Sequence, residues 1–239
     1  MKKLNIFILL ALLTLTINSN ASTKPAMNRA EDERPVSNFK GIAAGGSLDV
    51  KITIGNTESL RLEGDKDAIA DITTEVIDGI LTIKHKTKWN DWARKYGRTK
   101  ITVYITAKKI SSLVMSGSGN MNVENTINSS ELSATLSGSG SLTATANVKS
   151  LVSTISGSGN VNLSGKTDKL NITISGSGNF RGKDLAANQA AVQVSGSADV
   201  KVNVINTLEA VISGSGSVSY TGNPTVKKTI IGSGSVSRN

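Results

Sequence analysis

The sequence predicts an all-β protein, a parallel β-helix (β-solenoid) whose coils are about 18–21 residues long. The first observation is a recurring tetrapeptide, Ser-Gly-Ser-Gly, which begins at Ser116, Ser137, Ser156, Ser175 and Ser213. A variant, Ser-Gly-Ser-Ala, begins at Ser195, and Gly-Ser-Gly-Ser at 232–235 continues the spacing. The second observation is the alternation of apolar and polar residues on both sides of each mark. This pattern indicates strand, corner and strand, and stacked copies bury a continuous interior.

The Ser-Gly-Ser-Gly marks are interpreted as structural corners. Glycine reaches positive φ without a steric penalty, and it lets neighbouring coils approach closely. An antiparallel sandwich would instead require varied turns and unequal spacings. A phosphate-binding loop is disfavoured because its Lys and its following helix are missing, and a calcium-binding repeat would need a recurrent Asp where only Asp199 stands.

The N-terminus predicts export. Two lysines precede an apolar run over 6–17, and small residues lead to a cleavage site after Ala21, so 1–21 is predicted to be a signal peptide. The run is shorter than the ~20 residues of a membrane span. No second apolar run follows, so the mature chain is predicted to lack a transmembrane segment and to lie in the periplasm, in the outer envelope or on the cell surface.

Residues 22–36 mix small and charged residues with proline and show no periodicity, so they are predicted to be a flexible leader. A single β-solenoid domain is predicted over 37–239. Its strand patterns begin at Phe39 and continue through Leu48, Val50, Ile52 and Ile54. Residues 65–76 are compatible with a short helical turn, and strands resume at 79–83 and 101–107.

The composition excludes several kinds of site. The chain has no Cys and one His, so disulfides and a Cys/His zinc site are impossible, and any histidine-dependent nucleophile would need His85. His85 is predicted to be a surface residue because three lysines crowd it. No cofactor or metal is predicted. Aromatic residues make up only 3% of the chain, which predicts a thin core of aliphatic side chains.

The positive charge is concentrated in one segment. The formal net charge is +9, and residues 84–109 hold nine basic residues against one acidic residue. Within it, an insert at 84–100 also contains both tryptophans, and it is expected to be an excursion from the solenoid or an extended hairpin. Aromatic and cationic residues together suit sugar stacking and acidic polymers. The candidate ligand surface consists of Trp89, Trp92, Arg94, Lys95, Tyr96 and Arg98.

Two other interpretations of the insert remain open. It is also explained as a connecting loop whose tryptophans cover the end of the core. Nucleic-acid binding uses the same residue types, but an exported protein seldom meets nucleic acid, so no nucleic-acid partner is predicted.

Catalysis is not predicted. Glycoside hydrolysis needs two carboxyl groups within about 5 to 9.5 Å. The repeat region offers only Glu124, Glu131, Asp168, Asp184, Asp199 and Glu209. Those at similar phases, such as Glu124 and Asp184, are three coils apart, on the order of 14 Å.

Several segments in their order resemble one known family, the putative auto-transporter adhesin "head GIN" domain proteins abundant in Bacteroidetes. The resemblance covers about residue 34 to the C-terminus. It rests on the Ser-Gly-Ser-Gly marks and on segments 34–42, 47–52, 76–83 and 101–106. The family implies right-handed β-helices on exported envelope proteins, and it supplies no catalytic motif.

The sequence therefore predicts a non-catalytic exported envelope or cell-surface protein, an adhesin-like binding module that contacts glycans or other acidic polymers through the insert. One alternative is a structural or assembly protein of the envelope, because the C-terminal coil at 232–239 shows no bulky cap and its open edge can pair with another envelope protein. A β-helix polysaccharide lyase or hydrolase is the less favoured alternative.

Overall fold

The computed structural model describes residues 29–87, 89–96 and 99–239, without the side chains of residues 89, 90 and 93. The strands of the first half are β1 Arg29–Arg34, β2 Gly41–Gly46, β3 Asp49–Ile54, β4 Ser59–Asp65, β5 Ile72–Ile77, β6 Ile80–His85 and β7 Thr102–Ala107. The helices are α1 Lys66–Ala70 and α2 Trp89–Tyr96. The strands of the repeat region are β8 Ser112–Gly117, β9 Asn120–Val123, β10 Ile127–Gly138, β11 Ser141–Gly157, β12 Asn160–Gly176, β13 Asn179–Gly196, β14 Asp199–Gly214, β15 Ser217–Thr221, β16 Thr225–Gly232 and β17 Ser235–Arg238.

The repeat region forms the predicted solenoid, with about seven turns spaced about 19 residues apart. Strands of successive coils pair in parallel and in register, so that Ser137 lies beside Ser116 and Ser156 beside Ser137. The first glycine of each corner has positive φ, between 88° and 127°, in all eight coils that carry it. Those glycines are Gly46, Gly117, Gly138, Gly157, Gly176, Gly196, Gly214 and Gly232. The corner at Gly46 belongs to a further coil. Residues 45–48 are Gly-Gly-Ser-Leu, so this corner does not carry the Ser-Gly-Ser-Gly mark.

The core is a stack of aliphatic columns. Residues at one register position point to the same face of the sheet, so each inward position becomes a column along the axis. One such column contains Met115, Leu136, Ile155, Ile174, Val194 and Ile212, all buried. Few aromatic residues are needed because methyl-bearing side chains fill this narrow interior, as the composition predicts.

The coils of the first half do not follow chain order. Strands β2 and β3 pair in parallel with β6 and β7 on one side and with β8 and β9 on the other. The coil formed by β6 and β7 is therefore terminal, although it comes later in the chain. This arrangement lets the residues between β3 and β6 close the end of the solenoid.

Antiparallel strands close that end. Strand β5 pairs with β6, β4 pairs with β7, and β1 pairs with β4. Residues 29–34 therefore form a strand, which corrects the prediction of a flexible leader for that part of 22–36; residues 22–28 lie outside the described residues. Strand β1 shows no apolar alternation because charged side chains hold it, with Glu31 bound to Arg61 at 3.0 Å and Arg34 donating to the carbonyl oxygens of Ile69 and Ile72.

The short helix expected within 65–76 is α1, which spans five residues. The carboxylate of Asp65 accepts hydrogen bonds from the backbone N–H groups of Asp67 and Ala68, as an N-cap does. Ala68 and Ile69 are buried against the core, and the chain then returns as β5. In the part of the chain that the structure describes, neither helix has the length and hydropathy that a membrane span requires.

The opposite end of the solenoid is open. Strand β16 pairs with β14 and strand β17 with β15, and no further strand among the described residues covers them. Val226, Ile230 and Val236 are consequently only partly buried, and Ile231 is 67% exposed. An open edge of this kind is a template for another chain unless it carries a feature that opposes pairing.

Lys228 is such a feature. It stands in register with the buried Ala210, so it occupies an inward column whose earlier members are small or apolar. A further coil stacked on this end would have to bury its ammonium group, and burying an unpaired charge is costly. An inward-pointing charge on an edge is one of the ways in which proteins prevent edge-to-edge association.

We expect Lys228→Val to make the protein self-associate, because the substitution continues the apolar column to the open edge. Sedimentation velocity over a concentration series measures the effect. The matched control is Lys227→Val, which removes the same charge at the neighbouring position, in register with the exposed Glu209, with which Lys227 pairs at 3.1 Å. Equal association of the two variants, or none by Lys228→Val, would contradict this role for Lys228.

Candidate functional site

The insert takes the place of a corner. In the other coils, a tight glycine corner connects the two strands that correspond to β6 and β7. In the terminal coil, residues 86–101 make this connection and contain the two-turn helix α2. Since no coil stacks beyond this one, the connection has room for a helix, and this helix contributes the side chain of Trp92 to the core.

Trp92 belongs to the core. Its side chain is 1% exposed, and it is among the largest fully buried side chains of the described residues. Its ring lies 4.3 Å from that of His85 and 5.4 Å from that of Tyr96, measured between centroids. Trp92 is thus packed in the core, and it is not accessible to a ligand.

His85 is not the surface residue that the sequence predicts. It is half-buried at the end of β6, with its ring against Trp92, because the alternation of β6 points it to the same side as the buried Leu81 and Ile83. Burial lowers the pKa of His85, and the carboxylate of Asp71 opposes that shift. The neutral imidazole therefore predominates at neutral pH, which suits its packing role.

Two of the predicted ligand residues are exposed on α2. Arg94 and Lys95 point to solvent; the guanidinium of Arg94 lies 3.4 Å from the carboxylate of Asp91, and the ammonium of Lys95 lies 4.9 Å from the ring centroid of Tyr96. Tyr96 is half-buried. The side chain of Trp89 and the whole of Arg98 lie outside the described residues. The exposed part of this site is therefore cationic, and the half-buried ring of Tyr96 packs against Lys95.

Two carboxylates of the repeat region accept hydrogen bonds from the neighbouring coil. Asp168 accepts a hydrogen bond from Asn188 at 2.9 Å, and Asp199 accepts one from Ser217 at 2.9 Å. In the described strand pairings, none of the six carboxylates of this region stands in register with another. Among the described residues there is also no group of three or more His, Asp or Glu that could hold a metal ion.

The residues that follow the corners are bonded to one another. The amide of Asn120 donates to Asp49 at 2.7 Å, and that of Asn179 donates to Asn160 at 2.9 Å. These bonds run from coil to coil and hold neighbouring corners together. The Ser-Gly-Ser-Gly segments thus act as structural corners, in agreement with the interpretation from sequence.

A second set of polar residues, which we call the outward row, runs along one face of the solenoid. Its eight members stand in register from one strand to the next, and none is buried. The same register continues to Glu33 beyond Arg61 and to Ser219 and Ser237 beyond Lys201. In spatial order they are Arg61, Tyr104, Lys51, Asn122, Thr143, Asn162, Arg181 and Lys201. This row is not visible in the sequence, because Lys51 lies between Tyr104 and Asn122 only once β3 is inserted between β7 and β9.

The row on the other long face differs. It has ten register positions, and its one charged residue is acidic. In spatial order they are Glu75, Thr82, Ala43, Val114, Thr135, Thr154, Thr173, Gln193, Val211 and Thr229. Basic residues therefore stand in the outward row and at none of these positions of the other face.

Comparison with known proteins shows where this fold occurs. The family model described as "Putative auto-transporter adhesin, head GIN domain" matches residues 38–224. No curated protein matches the chain.

Three similar solved structures come from Bacteroidetes. A putative adhesin from Bacteroides fragilis is similar with a TM-score of 0.79 and 23% identity, over 90% of this chain and 99% of that chain. A putative lipid binding protein from Parabacteroides distasonis has a TM-score of 0.71 and 22% identity, over 89% of this chain and 97% of that chain. A putative adhesin from Parabacteroides merdae has a TM-score of 0.68 and 18% identity, over 89% of this chain and 96% of that chain. At these identities the similarity establishes the fold.

Proposed function

Because the chain belongs to the head GIN domain family of putative auto-transporter adhesins, we propose that it is an exported, non-catalytic binding module of the cell envelope that contacts glycans or other acidic polymers. The family supports an adhesin-like role at the surface. The predicted signal peptide at 1–21, which lies outside the described residues, supports export. The ligand class is supported by the cationic side chains that the solenoid leaves exposed.

The exposed cations of α2 are the observation that carries this proposal. Arg94 and Lys95 are exposed on a helix whose Trp92 is buried in the core. A cation held on a rigid element loses less conformational entropy on binding than one on a mobile segment. The buried Trp92 thus supports the site without touching the ligand.

We expect the purified protein to bind acidic polysaccharides immobilised on an array and to leave neutral dextran unbound. Binding should weaken steeply as NaCl rises from about 0.1 M to about 1 M, because the Debye length falls from about 10 Å to about 3 Å. Binding that is independent of salt, or no binding to any acidic polysaccharide, would contradict the proposal. The second outcome would favour the structural or assembly role.

The contribution of α2 is tested with the double variant Arg94→Gln/Lys95→Gln. An exposed ion pair contributes at most about 1 kcal/mol, so this variant should bind about three- to ten-fold more weakly than the original protein. The matched control is Lys166→Gln/Lys169→Gln, which removes two charges from exposed positions of the repeat region. A loss of the same size in the control would show that net charge, and not α2, determines binding.

A further inference from the structure

The charges of the outward row are spaced, not clustered. Arg61 and Lys51 stand near one end and Arg181 and Lys201 near the other, with an uncharged amide or hydroxyl at each of the three positions between. Neighbouring coils are ~4.8 Å apart, so the eight positions extend over roughly 34 Å. This length suits an extended polymer far better than a small molecule.

Both ends of the row lie in grooves. At one end a groove of about 990 Å³ is lined by Arg61, Tyr104 and Lys51, and the acidic Glu33 and Glu58 line it as well. The Tyr104 ring is held between two cations, with Arg61 4.3 Å and Lys51 5.3 Å from its centroid. These contacts fix the ring and both charges in place on the sheet surface.

At the other end, a groove of about 490 Å³ is lined by Arg181 and Lys201 together with Lys183. The strand β13 leaves the register after Gly182 and rejoins β14 at Ala186, and this bulge brings the exposed Lys183 beside the row. Three cations face one carboxylate here, that of Asp184, among the residues that line the groove. Bulges commonly re-aim side chains at functional sites.

Part of the charge is already balanced. Arg61 pairs with Glu31 and Glu63, at 3.0 and 3.7 Å, and Lys201 lies 3.6 Å from Asp199. No described ion pair involves Arg181, Lys183 or Lys51. The row is therefore moderately cationic. It matches a polymer that carries one charge every few monomers more closely than a polymer with a charge on every monomer.

We propose that the outward row binds one strand of a linear uronate-bearing glycan, laid along the axis of the solenoid. This inference rests on the proposed function and identifies its principal surface. The planar guanidinium of Arg181 matches a carboxylate, and Asn122, Thr143 and Asn162 offer the hydrogen-bond donors and acceptors that sugar hydroxyls require.

Other polyanions fit the row less well. Single-stranded nucleic acid requires stacking platforms and a dense cationic path, and the row has one aromatic ring, half-buried. An anionic membrane surface would be met by apolar side chains beside the cations, and none occupies the row. Uncharged amides between separated cations favour a hydroxyl-rich ligand of low charge density.

The test compares Arg181→Gln/Lys201→Gln with Lys166→Gln/Lys169→Gln, in the full mature protein, using polygalacturonate as the probe. Both double variants remove two charges at positions that are not buried, and only the first alters the row. We expect the row variant to bind polygalacturonate about ten-fold more weakly or worse, since hydrogen bonds to charged groups are the stronger ones. The control variant should change binding less than about two-fold.

Each contrary outcome has its own meaning. Equal losses of binding in the row variant and its control would overturn the assignment of the ligand to the outward row and leave the proposed function intact. A loss of binding confined to Arg94→Gln/Lys95→Gln would have the same meaning. No binding of the original protein to any acidic polysaccharide would overturn both. Row-dependent binding to dextran sulfate, to an oligodeoxythymidine or to phosphatidylglycerol vesicles but not to polygalacturonate would overturn the uronate assignment.

Discussion

Gly157→Ala should lower the free energy of unfolding by about 3 kcal/mol or more, and it can prevent folding altogether. Gly157 has φ +114°, a region that residues with a Cβ rarely adopt. A Cβ added there would lie 2.6 Å from the carbonyl oxygen of Gly138 in the preceding coil. That oxygen also accepts the backbone N–H of Ser158 at 2.9 Å, so the clash falls on a bond that joins the coils.

Gly159→Ala is the matched control within the same corner. A Cβ at 159 would also lie 2.6 Å from a carbonyl oxygen, that of Gly140, but Gly159 does not have positive φ. Moreover, Ala198 stands at the equivalent position of a later coil, where it is buried. Gly159→Ala should therefore cost less, about 1–2 kcal/mol. Urea unfolding followed by circular dichroism measures both; equal losses would show that crowding alone, without backbone strain, explains the glycine column.

The solenoid was predictable because its information is local and repeated. Every corner carries its own glycines, and the alternation around it determines which side chains point inward. The terminal coils were less predictable for the same reason. Gly46 lacks the Ser-Gly-Ser-Gly mark, and 71 residues separate it from Gly117, its partner in the next coil. Strand β1 lacked a signal because it pairs at an edge through charged side chains.

The site was predictable only in part. The insert stands out by composition, but composition does not reveal which face of a short helix is buried. Trp92 and Arg94 are two residues apart on α2, and one lies in the core while the other is exposed. The outward row was beyond sequence reasoning, because its members come from positions 51 to 201 and their order in space differs from their order in the chain.

Trp92→Ala should lower the free energy of unfolding by about 3–5 kcal/mol, the usual cost of truncating a large buried aromatic side chain. The effect should be large because Trp92 is 1% exposed and belongs to the hydrophobic core, so its truncation leaves a cavity there. His85 and Tyr96 would also lose their shared packing partner.

Trp92→Phe and Arg94→Ala complete this test on the same helix. Phenylalanine keeps an apolar ring in the core, so Trp92→Phe should recover part of the loss. Arg94→Ala removes an exposed side chain and should change stability by less than about 0.5 kcal/mol. Thermal and urea unfolding of the three variants measure the differences, and a loss below about 1 kcal/mol for Trp92→Ala would contradict its role in the core. If the folded Trp92→Ala protein also binds polygalacturonate more weakly, we attribute that loss to displacement of α2. Trp92→Phe should then restore binding, because it keeps the helix in place. The loss in Arg94→Gln/Lys95→Gln has a different cause, the removal of two charges.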